Sequence, residues 1–349
     1  MERVRVAIIG SKFSASLHID AYKRLNYVDV IAVAAIDNLE EFGSKHNISN
    51  LYSDYKKMLE RNDIDLVSVC VPNFLHCEVV KTVALSGKKN IICEKPLATN
   101  LENAKEMISI CEDNGVRLMY SEDWLFAPAL VKAKNIIKEG AIGDVLYIKA
   151  KECHPGSHSQ YARKLEYCGG GSIIHLAIHP IGLVRWLKEK EVVEVIGKIS
   201  KGGEQNLKHS YFEGEDWGCA ILTLEDNTQA FIEGNYITCG GLDNTIEIYG
   251  TTGTIKIKMS QGSPISVFSL DGYSYAIEKA ETTKGWTMPA IDEEMELGYP
   301  NEIAHFTDCV RKNQDPSFGV RAIDGLITLE IVQAIYKSSK EGKSIKLPL

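Results

Sequence analysis

In the first third of the chain, short apolar runs end at turn residues and give way, one after another, to helical patterns. Val4 to Ile9 is closed by Gly10, and Ser14 to Leu25 then reads as a helix. Val30 to Ile36 is closed by Asp37-Asn38, and Asp54 to Arg61 is a short helix. Leu66 to Val71 is closed by Pro72-Asn73, and a helix from Leu75 to Leu85 stops at Gly87. Asn90 to Cys93 runs into Glu94-Lys95-Pro96. Thr99-Asn100-Leu101-Glu102 places an acid three residues after a hydroxyl, a capping box for a helix ending at Asn114-Gly115, and Val116 to Tyr120 follows as a strand. Apolar runs without polar alternation suit strands buried on both faces. Their alternation with helices predicts a parallel sheet covered on both sides.

The pattern changes after about Ser121. One helix, Pro128 to Lys138, leads into strand-like stretches: Val145 to Glu152, Val192 to Ile199, Gly218 to Leu224, Gln229 to Ile237, Thr245 to Tyr249 and Thr254 to Met259. Tight turns such as Gly250-Thr251-Thr252-Gly253 separate them, which predicts a largely antiparallel sheet. A helix follows Gly169-Gly170-Gly171 and another runs from Ile323 to Ser338. The expected fold is α/β: an N-terminal doubly wound parallel sheet over residues 1–121, and a C-terminal α/β domain over residues 122–349, with the last helix a candidate to pack back on the first domain.

Charge and cysteine usage narrow the function classes. A net charge of -8 supplies no basic stripe for a nucleic-acid backbone. The apolar runs are too short to span a bilayer, and the N-terminus enters a strand at once, so neither membrane span nor signal peptide is expected. Nine scattered cysteines without a C-x-x-C pair fit free thiols in a reducing compartment, hence the cytoplasm.

Gly10-Ser11-Lys12-Phe13-Ser14-Ala15 lies where a strand turns into a helix. A dinucleotide-binding (Rossmann) turn needs glycine there, and the helix N-terminus then offers N–H groups to a pyrophosphate. Gly10 supplies the first glycine of G-x-G-x-x-G/A and Ala15 the last position; Lys12 replaces the second glycine, where its side chain either crowds the pyrophosphate or brings an ammonium to it. Asp37 ends the second strand, where an acid accepts from an adenine-ribose diol and repels a 2′-phosphate. That favours NAD over NADP, with neutral Asn38 beside it weakening the contrast.

Val71-Pro72-Asn73-Phe74-Leu75-His76 and Cys93-Glu94-Lys95-Pro96-Leu97-Ala98, with Gly10 and His18, resemble the glucose–fructose oxidoreductase/inositol dehydrogenase (Gfo/Idh/MocA) family. Gly169 to His179 is similar to that family's G-G-G-x-x-x-D-x-x-x-H stretch, and Glu302 to Phe306 and Gly342 to Pro348 also look familial. The resemblance implies a Rossmann domain, a C-terminal domain whose open sheet forms a homodimer or homotetramer interface, and a nicotinamide-dependent reaction at a sugar or polyol carbon. It places Phe13, Pro72, Asn73, His76, Glu94 and Lys95, with Gly10, Lys12, Asp37 and Asn38, on the cofactor side.

Oxidation of a secondary alcohol needs the hydroxyl proton removed as hydride leaves carbon, a task for a base titrating near neutrality. His179 is the candidate base, and Lys95, at a strand's carboxyl end, the group that stabilises charge on the reacting oxygen. His175 stands where the family has Asp; four residues from His179, it shares a face with it on an α-helix. Candidate substrate contacts are Lys95, Glu122, Trp124, His154, His158, His175 and His179, with Tyr161, Trp217 and Trp286 as further aromatic walls. Glu122, His154 and His179 are also candidate ligands of a divalent metal, although a metal-free sugar pocket is the favoured reading. Net dehydrogenation leads; an NAD-retaining hydrolase or lyase working through a transient keto-sugar is the alternative, and a non-enzymatic sugar or NAD sensor comes third.

Overall fold

A computed structural model describes residues 3–157, 159–259, 265–273 and 282–349. The chain divides into two compact units, residues 1–123 with 298–329, and residues 124–297 with 330–349. His158 lies outside the described residues.

The first unit is built on strands β1 (Val4–Ile9), β2 (Val28–Ala34), β3 (Leu51–Tyr52), β4 (Leu66–Val69), β5 (Asn90–Cys93) and β6 (Arg117–Tyr120). Their order is β3-β2-β1-β4-β5-β6, and every pairing is parallel. The order reverses between β1 and β4, so the carboxyl ends of those strands flank the switch point where open α/β sheets take ligands. Val6, Ala7, Ile8, Val67 and Ile91 are fully buried, as unbroken apolar runs require. Helices α1 (Phe13–Lys23), α2 (Leu39–His46), α3 (Tyr55–Leu59), α4 (His76–Leu85) and α5 (Leu101–Asp113) make the crossovers. The cap of α5 is Asn100, one residue after the Thr99 of the expected capping box; its Oδ1 accepts from the Asn103 N–H at 2.9 Å.

The second unit holds α6 (Pro128–Lys138), β7 (Val145–Cys153), α7 (Leu165–Cys168), a π-helical turn (Ile173–Ala177) and α8 (Ile178–Lys188). Strands β8 (Val192–Ile199), β9 (Trp217–Leu224), β10 (Gln229–Asn235), β11 (Thr245–Gly250) and β12 (Thr254–Lys258) follow, then the hairpin β13 (Val267–Ser269)–β14 (Gly285–Thr287) and α9 (Glu293–Leu297). Helix α10 (Tyr299–Lys312) belongs to the first unit. Helix α11 (Ala322–Glu341) gives its first eight residues to the first unit and the rest, with β15 (Ile345–Lys346), to the second. Residues 298–329 join the first unit through local contacts: the Arg311 guanidinium lies 4.0 Å over the Tyr27 ring, and the Tyr120 N–H donates to Val320 O at 2.9 Å.

The second unit's sheet runs β12-β11-β7-β10-β9-β8-β15. It is mostly antiparallel, with β7 and β10 parallel. Ile148, Ala150, Leu222, Ala230 and Ile232 are buried on one face. The register aligns Ile196, Ile221, Phe231, Lys149, Glu247 and Lys256 across the other, open face. The stretch Leu165–Lys188 is long and apolar enough to cross a membrane, but 83% of its most apolar window is buried, which marks a core helix.

Candidate active site

Gly10 sits at φ +124°, and a Cβ there would lie 2.2 Å from Cys70 O. Only glycine lets β1 turn this close to β4. Lys12, the N-cap residue of α1, makes no side-chain cap, so it leaves the positive end of the helix dipole uncovered. Its ammonium lies 3.5 Å from the Asp37 carboxylate, with both side chains about half exposed (54% and 53%). Ser11 Oγ donates to Asp37 O at 2.7 Å, tying the β2 end to the Gly10 turn. Asn38 adopts a left-handed conformation as the N-cap residue of α2, and Phe13 is exposed. This glycine turn, open helix end and acid after β2 fit a dinucleotide.

Glu94-Lys95-Pro96 leaves the carboxyl end of β5 with both flanks held. Glu94 Oε1 lies 2.8 Å from His18 Nε2 of α1, and Glu94 Oε2 accepts from the Lys95 N–H at 3.2 Å. Burial works against the His18 imidazolium, but Cys70 and Glu94 outweigh it and raise its pKa to about 10. Burial likewise opposes the Glu94 carboxylate, yet His18, with Lys95 and His76, holds it below the usual range. At neutral pH the two therefore form a buried ion pair. On the other flank, His76 Nδ1 lies 2.9 Å from Pro96 O and Nε2 lies 3.0 Å from Val71 O. Burial lowers the His76 pKa, so the ring is neutral and donates to one of these two carbonyls. Pro72 occupies the N-cap position of the short 3₁₀ turn Asn73–Leu75, without a side-chain cap bond. Glu94 and His76, expected on the cofactor side, thus have partners inside the unit that brace Lys95.

Glu122 and Asp123 follow β6 and are buried. Glu302 on α10 is fully buried in the same unit and accepts from Ser121 Oγ at 3.0 Å. Burial, Asp123 and Glu94 push its pKa well above the carboxylate range. The Glu302 carboxyl is therefore biased toward its protonated form.

In the second unit, His179 is buried on α8. Its ring stacks on Trp124 (centroids 5.4 Å, 15° between planes), and its Nε2 lies 3.7 Å from Glu152 Oε2 at the end of β7. At this distance the carboxylate acts through charge, favouring the imidazole once it is protonated. His175 lies in the π-helical turn, and its Nδ1 is 2.7 Å from Tyr236 Oη. The His154 ring packs on Tyr236 at 5.5 Å. Tyr236 thus gathers His154 and His175, while Glu152 and Trp124 hold His179. The metal candidates divide between units, Glu122 in the first and His154 and His179 in the second.

The glycine run before this turn is set by packing. A Cβ on Gly170 would lie 2.1 Å from Tyr336 Oη, and one on Gly171 would lie 2.0 Å from Glu215 O. The Glu215 carboxylate accepts from the Gly171 N–H (3.0 Å), the Ile173 N–H (2.9 Å) and Tyr336 Oη (3.0 Å), capping the turn. Burial raises its pKa to about 7 despite those bonds. Among the other aromatic candidates, Tyr161 packs edge-on to Tyr167, Trp217 donates to Glu233 at 3.1 Å, and Trp286 is 74% exposed. The sequence reading passed over Glu152 and Tyr236. Glu152 could have been noticed beside Cys153-His154; Tyr236 carries no local signal.

Comparison with known proteins agrees with the fold of both units. The model of the oxidoreductase family's NAD-binding Rossmann fold matches residues 4–122, and that of the oxidoreductase family's C-terminal alpha/beta domain matches residues 134–347. Levoglucosan dehydrogenase of Pseudarthrobacter phenanthrenivorans is 30% identical over 76% of this chain and 76% of its own. D-xylose 1-dehydrogenase [NADP(+)] of Haloarcula marismortui is 24% identical over 85% of this chain and 78% of its own. The crystal structure of GenD2 from gentamicin A biosynthesis, in complex with NAD, superposes with a TM-score of 0.92 at 20% identity, covering 100% of this chain and 97% of that one.

Proposed function

This chain belongs to the Gfo/Idh/MocA oxidoreductase family, and from that premise we propose that it is a nicotinamide-dependent dehydrogenase of a sugar or polyol. The observation that carries the reading is Lys95, at the carboxyl end of β5 between the His18–Glu94 pair on one side and the His76 ring against Pro96 O on the other. Relatives named for levoglucosan and D-xylose support a carbohydrate substrate.

A nicotinamide cofactor, which the Gly10 turn, the open N-terminus of α1 and Asp37 would hold, would supply the hydride acceptor. The chain's own residues handle the proton and the charge. Lys95 donates a hydrogen bond to the reacting oxygen and stabilises negative charge as the O–H proton departs. His179 accepts that proton, and Glu152 stabilises the resulting imidazolium. His154 and His175, with Tyr236 between them, offer hydrogen bonds to substrate hydroxyls. Glu122 and Trp124 complete the proposed substrate contacts, and no metal is needed for these steps.

NAD is the proposed cofactor because the Asp37 carboxylate repels a 2′-phosphate, an effect that Lys12 partly offsets. The same reading has the chain assemble as a homodimer or homotetramer through the open sheet face, where Ile196 and Ile221 are exposed. It places the protein in a reducing compartment, the cytoplasm, in keeping with its free cysteines.

Lys95→Met tests the reading. With NAD and a panel of pyranoses and cyclic polyols, the variant is expected to lose about 100-fold or more in kcat, the usual cost of removing one such donor, while NADH affinity stays within a few-fold. A variant that reduces NAD at the wild-type rate would overturn the assignment.

A further inference from the structure

We infer that the His18–Glu94 ion pair is the positioning device for Lys95, tying the helix that opens at the nucleotide turn to the residue that contacts the reacting oxygen. The inference rests on the dehydrogenase reading for what Lys95 does, but its geometry stands apart from it. One carboxylate oxygen meets His18 Nε2 at 2.8 Å and the other accepts the Lys95 backbone N–H at 3.2 Å, so a single carboxylate joins α1 to Lys95. The His18 side chain is fully buried and that of Glu94 is 9% exposed, so water does not compete for these bonds. A buried charged pair is costly to desolvate, and a neutral pair of similar shape would fill the space at less cost. What the ions add is fixed direction: charge-assisted bonds are short and strong. On the far side, the His76 ring lies against Pro96 O at 2.9 Å, so Lys95 sits between the ionic tie and this packed ring. Neither histidine touches substrate in this scheme; both act through Lys95.

Displacing a catalytic group by about 1 Å can cost about 100-fold in rate, so loosening this tie should lower kcat more than it raises KM. His18→Leu removes the partner of Glu94, whereas His18→Gln keeps an N–H donor. In amide hydrogen exchange, which needs no substrate, His18→Leu should exchange faster than wild type across residues 93–98, and His18→Gln should stay close to wild type. With NAD and either levoglucosan or D-xylose, His18→Leu should lose at least about 10-fold in kcat, with KM and NADH affinity within about two-fold. If His18→Leu does not fold, Glu94→Gln carries the test, with the same faster exchange and a kcat loss in the same direction. A folded variant lacking the ion pair, with wild-type exchange at residues 93–98, overturns the inference. So does faster exchange without loss of kcat. If the wild type turns over neither sugar, the dehydrogenase reading is in question for those substrates, and exchange alone decides whether the pair fixes Lys95.

Discussion

In the proposed scheme, Lys12 and Asp37 set the dinucleotide preference between them. Half exposed and 3.5 Å apart, they form a pair worth at most about 1 kcal/mol, too weak to hold either side chain away from a ligand. Asp37→Ala should therefore raise kcat/KM for NADP relative to NAD, by about 10-fold if the loss of repulsion is worth about 1.4 kcal/mol. Lys12→Ala should move the ratio the other way. Steady-state kinetics with both cofactors checks this; an unchanged ratio in Asp37→Ala would refute the role. Glu302 bears on stability. Its folded-state pKa lies well above its unfolded value, so the folded form holds a proton the unfolded form gives up, and stability from this residue declines as pH rises above about 4.5. Glu302→Gln keeps the shape and cannot ionise. Thermal unfolding should show the variant gaining on wild type between pH 5 and pH 8; parallel curves would contradict the assignment. Lys95 and His179 stood out in the sequence because each lies in a run of distinctive neighbours. Glu152 and Tyr236 did not, because their partners lie 27 and 61 residues away, at His179 and His175, and only folding brings them together.

At the scale of elements, strands buried on both faces were the most legible. Val4–Ile9 and Asn90–Cys93 have the boundaries that their apolar runs suggest. Helices α2 and α10 went unassigned. In α2, Gly43 interrupts the pattern; it packs under the Leu51 side chain, whose Cδ2 would lie 2.6 Å from an added Cβ. The π-helical turn was also hidden, since a histidine spacing of four says nothing of an extra residue in the turn. That turn depends on its glycines. Gly171→Ala would drive a methyl group into the Glu215 backbone, where neither chain can swing aside, and should destabilise the protein by about 2–3 kcal/mol, read as a lower urea midpoint. An unchanged midpoint would mean that the Gly171–Glu215 contact does not hold in solution.

At the scale of the whole molecule, each unit's architecture followed from pattern: alternation gave a parallel sheet, and tight turns gave a mostly antiparallel one. The return of residues 298–329 to the first unit depends on long-range contacts such as Tyr27 with Arg311 and Asp308, which no local signal carries. The open face of the second sheet bears on assembly. Ile221→Lys, in the middle of the row from Ile196 to Phe231, places a charge where a second copy would have to desolvate it, and should shift the protein toward monomer by light scattering at fixed concentration. A mass identical to wild type would remove that face from the proposed interface. The central claim is that this chain oxidises a sugar or polyol with net reduction of nicotinamide. The most direct measurement is the absorbance of reduced nicotinamide when wild-type protein, NAD and a panel of pyranoses and cyclic polyols are mixed. The account predicts at least one compound that yields reduced cofactor equimolar with keto or lactone product; tight NADH binding with no net reduction across the whole panel would contradict it.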